Sequence, residues 1–68
     1  MAKLQVEDLE VGDRVTHASA GDGTVKRKEL NSVTVVYDML DKDGIPFTSR
    51  YEREWLAEYD FLTKKEGF

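Results

Sequence analysis

The chain has no cysteine, a single histidine and a single proline among its 68 residues. Without thiols there is neither a disulfide scaffold nor a thiolate-bound zinc to stabilise a small core, and a reducing cytosol is the natural compartment. Surplus positive charge is also missing: 10 Lys and Arg stand against 14 Asp and Glu, a net charge of −4. That balance excludes a general nucleic-acid binder, because phosphate attraction needs an excess of cations. No apolar run is long enough for a membrane span, and Met1-Ala2-Lys3-Leu4 leads into acidic residues rather than the apolar stretch of a signal peptide. The protein is therefore expected in the cytoplasm, as a monomer, with ordinary packing holding one small domain together.

The composition that remains is globular, 40% hydrophobic and 35% charged, with no internal repeat and no low-complexity tract. Leu4, Val6, Leu9 and Val11 lie among acidic residues, a pattern that fits an arm or a single turn packed on something else. Gly12-Asp13 then signals a turn, Arg14-Val15-Thr16-His17 can alternate across a strand, and Gly21-Asp22-Gly23 is read as a sharp reversal. Residues 24–29 form a second strand. Asn31-Ser32 separates it from Val33-Thr34-Val35-Val36-Tyr37, the run with the highest β propensity, giving a hairpin. Period two turns Val33, Val35 and Tyr37 inward and Thr34 and Val36 outward.

Residues 38–46 concentrate Asp41, Asp43, Gly44 and the lone proline and read as an exposed loop, after which Phe47-Thr48-Ser49-Arg50-Tyr51 can form another strand. From Glu52 to Leu62 the pattern is double. Tyr51, Trp55, Tyr59 and Leu62 fit a helical spacing, whereas Trp55-Leu56 and Phe61-Leu62 fit two strand ends around a short turn. Short strands at close spacing with Gly-rich turns point to a small antiparallel barrel, which limits exposed edges. Its expected core is Val15, Val25, Val33, Val35, Tyr37, Trp55, Leu56 and Leu62.

The phrase Val11-Gly12-Asp13-Arg14-Val15-Thr16-His17-Ala18-Ser19-Ala20-Gly21-Asp22-Gly23-Thr24-Val25 resembles the Gly-Asp-Arg-Val…His…Gly-x-Gly-Thr-Val opening of bacterial Tudor-like (SH3-like) domains. The nearest likeness is to the domain that closes the UvrD/PcrA helicases, with CarD-like and other KOW-type small barrels further off. Val33-Thr34-Val35-Val36-Tyr37 and the ending Trp55 to Leu62 continue the likeness, which covers roughly residues 9–63. The resemblance implies an all-β fold, an SH3-like barrel of about five antiparallel strands with a short 3₁₀ turn before the last, and favours strand, turn, strand for Trp55 to Leu62. It implies protein docking on RNA polymerase, with no catalysis and no cofactor. Two departures stand out. Ala20 replaces a bulkier residue, and residues 38–49 exceed the family's tight connection and read as an inserted loop. The expected organisation is an arm over residues 1–10, a barrel over 11–63 and a flexible tail over 64–68.

Individual motifs carry little chemistry. His17 has no evident nucleophile, orienting carboxylate or further metal ligand and is read as a packing residue at a strand end. Gly21-Asp22-Gly23 lacks the Gly-Lys-Ser/Thr and the helix of a phosphate loop. Asp41-Lys42-Asp43-Gly44 begins like a calcium loop, but its glycine falls too early and no glutamate closes it. No serine has a plausible base, so an enzyme is not expected.

Lys26-Arg27-Lys28 is the basic cluster, with Lys26 and Lys28 expected on one face and Arg27 on the other. Tyr37, Trp55 and Tyr59 are read as core, Phe47 and Tyr51 as exposed anchors. The expected partner-binding set is Lys26, Lys28, Arg50, Tyr51 and Arg53, in a docking module that contacts RNA polymerase or an associated transcription or repair machine through a strand edge and charged side chains. The alternative is a KOW-like nucleic-acid binder, which would gather Lys26, Arg27, Lys28, Arg50, Lys64 and Lys65 on one side.

Overall fold

The computed structural model describes residues 4–65. Its elements are a 3₁₀ turn η1 (Val6–Asp8), strands β1 (Arg14–His17), β2 (Gly21–Lys28), β3 (Ser32–Leu40) and β4 (Pro46–Glu52), a helix α1 (Arg53–Glu58), and strand β5 (Leu62–Lys64). The fold is all-β. Five antiparallel strands form one sheet in the order β4-β3-β2-β1-β5, barrel-like around a single core. Its two edge strands are not paired with each other; α1 bridges from one to the other along the chain.

Valine alternation builds the sheet as expected. Val15, Val25, Val33, Val35 and Tyr37 are buried, while Thr34 and Val36 face outward and stay partly exposed. Leu56 of α1 and Leu62 of β5 complete the expected set, and Trp55 packs against that core without joining it. Three further residues are buried in it: Val6, Leu9 and Tyr51. Within residues 4–10, the turn η1 and its C-terminal cap Leu9 form a single turn packed on the core, delivering Val6 and Leu9 to the interior.

The connections depart from expectation in four places. The reversal between β1 and β2 is made by residues 18–20, while Gly21-Asp22-Gly23 opens β2. The Nδ1 atom of His17 closes that turn by accepting from the backbone N–H groups of Ser19 (2.9 Å) and Ala20 (3.3 Å). Gly21 takes a φ of 84°, a region that costs other residues steric strain. Gly23 is needed for space instead: a Cβ there would lie 2.8 Å from Val35 Cγ1 and 2.9 Å from Tyr37 Cδ1.

Residues 38–49 are not loop throughout: β3 runs to Leu40 and β4 starts at Pro46, which leaves residues 41–45 as the turn of a β3–β4 hairpin. The carboxylate of Asp41 accepts from the N–H groups of Asp43 (2.8 Å) and Ile45 (3.0 Å). Its own N–H donates to the Ile45 carbonyl (2.9 Å), so one aspartate organises the whole reversal, as such side chains do in turns. At the other end of the chain, Lys64 belongs to β5 and the Lys65 N–H donates to the Arg14 carbonyl. Both therefore belong to the fold, and the rest of the expected tail, residues 66–68, lies outside the described residues.

The element before β5 is the fourth departure. The resemblance implied a short 3₁₀ turn, and the chain forms a six-residue α-helix. Arg-Glu-Trp-Leu-Ala-Glu is rich in good helix formers, and the helical spacing of Tyr51, Trp55 and Tyr59 prevails over the strand reading. The 3₁₀ turn lies instead at Val6–Asp8.

Candidate interaction surface on strand β4 and helix α1

The basic residues singled out in the sequence do not form a common surface. A β-bulge between Val25 and Arg27 sets Arg27 opposite Thr34 and Lys28 opposite Val33. Arg27 therefore lies on the outward side with Thr34, and Lys28 lies at the rim of the inward stripe. The expected sharing of a face by Lys26 and Lys28 fails because the extra residue of a bulge resets the alternation. Lys28 is held by Glu10 (3.5 Å). Thr34 also faces Arg50 across β4, and Glu29 reaches both Arg27 (3.3 Å) and Arg50 (3.7 Å).

Every arginine has an acidic partner, as do Lys28, Lys64 and Lys65. Among the described lysines and arginines only Lys26 and Lys42 have no ion pair. Arg53 is the most heavily engaged. Its guanidinium donates to Glu7 (2.8 Å), to Asn31 Oδ1 (3.1 Å) and to the Leu30 carbonyl (2.7 Å). It ties the N-terminal turn and the β2–β3 connection to α1. The pairing holds the Glu7 carboxyl at about 2, with the Arg53 hydrogen bond as the largest cause.

Tyr51 is not the exposed anchor expected of it. It is 9% exposed, because strand parity places it opposite Val33 on the inward face. Its hydroxyl is hydrogen-bonded to that of Tyr37. Burial, and then that bond, push the Tyr37 phenol well above its ordinary range. Two aromatic residues exchange the roles read in the sequence: Tyr51 is buried, whereas Tyr59 is 43% exposed, with Phe61 beside it 49% exposed; Tyr37 is buried as expected. Phe47 is exposed as expected, near the hairpin end.

From the buried Tyr51 the rings run outward as a series. Tyr51 and Trp55 lie 4.6 Å apart, Trp55 and Tyr59 5.5 Å, and Tyr59 and Phe61 5.8 Å with nearly parallel planes. His17 stacks against the same group from β1, 6.3 Å from Trp55 and 6.2 Å from Tyr51. Contacts of this kind contribute beyond the area they bury. Helical spacing produces the arrangement: Trp55 and Tyr59, four positions apart across the end of α1, project on one side, above the point where β4 delivers Tyr51.

Beside these rings is an open groove of about 530 Å³. It is lined by Tyr51, Trp55 and Tyr59 together with Ser49, Arg50, Glu52, Glu54 and Glu58. Of the residues expected to bind a partner, the structure brings Arg50 and Tyr51 to this groove, leaves Lys26 on the bulge, and ties Lys28 and Arg53 into internal contacts. Sequence reasoning missed Tyr59, Glu54 and Glu58 as surface residues. The signal was present in the i, i+4 spacing of Trp55 and Tyr59, each immediately preceded by a glutamate, Glu54 and Glu58.

Among the described residues β4 is also an edge of the sheet, paired with β3 alone, the position at which a strand can be added. No family model, curated protein or solved structure matches this chain.

Proposed function

We propose that this chain is a protein-docking module built on an SH3-like (Tudor-like) small barrel, and that it engages RNA polymerase or an associated transcription or DNA-repair machine. The observation that carries the docking reading is the pair of half-exposed rings Tyr59 and Phe61, continuing from the partly buried Trp55 beside an open groove on an edge strand. Aromatic side chains of this kind, rooted in a core and open on one side, have the composition of interface hot spots. An edge strand next to them offers backbone pairing, and the groove offers side-chain selection. The choice of machine is supported by the resemblance of Val11 to Val25 to bacterial Tudor-like domains.

A KOW-like nucleic-acid interface draws less support, since a phosphate backbone would compete with carboxylates already paired to most of the cations. Purified bacterial RNA polymerase passed over the immobilised chain tests the proposal. Retention is expected, with loss on Tyr59→Ala or Phe61→Ala; polymerase that flows through unretained overturns that choice of partner. Retention of duplex DNA with a steep fall as salt rises would instead favour the nucleic-acid reading.

A further inference from the structure

Half of the exposed large hydrophobic side chains among the described residues lie together at the far end of the β3–β4 hairpin: Met39 (46% exposed), Leu40 (54%), Ile45 (59%) and Phe47 (45%). β2 pairs with β3 only as far as Gly23 opposite Tyr37. Beyond Tyr37 the two strands continue as a ribbon of their own, closed by Leu40 opposite Pro46 and by the turn that Asp41 organises. Every residue from 38 to 48 except Asp41 is exposed. A two-stranded ribbon is marginally stable in water by itself, and a cluster of apolar side chains on it marks a contact surface. The charges of the ribbon are unequally engaged. Arg14 holds Asp38 at 2.6 Å, and the Asp41 carboxylate is used by the turn. Lys42 and Asp43, adjacent and of opposite sign, have no ion pair among the described residues.

We infer that this ribbon is a self-association surface, and that its occupant is the same ribbon of a second copy of the chain, related by a two-fold axis. Such an axis sets a patch against itself, so that one residue meets a second and the second meets the first. Apolar side chains then cover apolar side chains, and Lys42 of each copy meets Asp43 of the other. A partner surface of a single sign would leave one of those two charges facing its like, whereas a second copy satisfies both. The exposed half of each of the four side chains is on the order of 100 Å², which gives roughly 800 Å² over both copies. That falls below a standard interface, and the net charge of −4 on each copy adds repulsion. The dimer is therefore weak and reversible, in place of the monomer expected from composition. The ribbon shares no residue with the lining of the groove between β4 and α1. A dimer thus carries two docking surfaces, with the gain in avidity that linked sites allow.

Sedimentation equilibrium of the intact chain, from about 10 µM to about 1 mM, should show the mass rising from 7.8 kDa toward twice that value and no further. On dilution, NMR shift changes should concentrate at Met39, Leu40, Ile45 and Phe47. The double change Ile45→Thr with Phe47→Thr keeps β propensity and should stay monomeric throughout, with amide dispersion confirming the fold. Lys42→Glu and Asp43→Lys should each weaken association by about tenfold. Mixed in equal amounts, these two variants should associate with each other, because each supplies the charge that the other has lost. Exchanging the two charges in one chain, Lys42→Asp with Asp43→Lys, should recover the parent's affinity. A monomeric mass at about 1 mM, a dimer that survives the two threonine substitutions, growth beyond the dimer, or single charge variants that associate as the parent does would each overturn the inference. A chain that stays monomeric while its ribbon resonances move only when polymerase is added assigns the patch to that partner, and overturns it as well.

Discussion

Glu7 and Arg53 are joined by an ion pair of 2.6 Å although 46 positions separate them. One residue lies in the first turn of the structure and the other at the start of α1. The pair holds the Glu7 carboxyl at about 2 against an ordinary 4.5. A carboxyl depressed in the folded state stabilises the fold at pH values above its unfolded value, and that contribution is lost as pH falls toward the folded one. Stability is therefore expected to decline between about pH 4.5 and pH 2. Glu7→Gln should flatten that part of the acid limb, as measured by denaturant unfolding at a series of pH values. The surface position of the pair keeps the effect modest, and an unchanged acid limb in the variant would show that the pair contributes nothing.

The hydroxyl contact between Tyr37 and Tyr51 makes a different prediction. Tyr51→Phe leaves the Tyr37 oxygen buried without its partner, which costs about 1–3 kcal/mol. Replacing both tyrosines with phenylalanine removes donor and acceptor together, so the double variant should lose less than the sum of the single ones. Chemical denaturation of the four proteins closes this cycle. In an alkaline absorbance titration Tyr37 should remain protonated through the range where free tyrosines ionise.

Gly21 and Gly23 are constrained for separate reasons and should respond differently to alanine. Gly21 has open space around its Cβ position but a φ of 84°, so Gly21→Ala carries only backbone strain, about 1 kcal/mol. Gly23 would drive a methyl group against Val35, Tyr37 and the Val36 carbonyl, the last at 3.1 Å. Overpacking of that kind costs about 1–3 kcal/mol. Melting temperatures should rank the parent above Gly21→Ala and Gly21→Ala above Gly23→Ala.

Asp41 governs the far hairpin through three hydrogen bonds with Asp43 and Ile45. Asp41→Ala should loosen that turn, with faster amide exchange at Asp43 and Ile45, while Asn, which keeps a side-chain acceptor, should retain protection. Unchanged exchange in the alanine variant would mean that the backbone alone sets the turn.

What could be read from the sequence is whatever alternates. Val33, Val35 and Tyr37 declared their face by period two, and Val15, Val25, Leu56 and Leu62 followed. The bulge at Lys26 was hidden, because one inserted residue leaves no compositional trace while it changes the direction of the basic cluster. Tyr51 was misjudged because its parity was set by pairing with Val33, a register that neighbouring residues do not encode. The clamp between Glu7 and Arg53 is a contact of the fold alone. The groove was half legible: the helical spacing of its rings was visible, but the resemblance favoured a strand over those positions.

The hydroxyl of Tyr51 fastens the innermost ring of the exposed series to Tyr37 in the middle of the sheet. Whatever settles against the indole therefore leans on the same scaffold that must come apart when the chain unfolds. Occupancy and melting are thermodynamically linked in such an arrangement: a ligand that favours the native form raises its unfolding temperature. Loosening the tyrosine pair would lower the starting point of that shift without changing its size as long as the native form dominates.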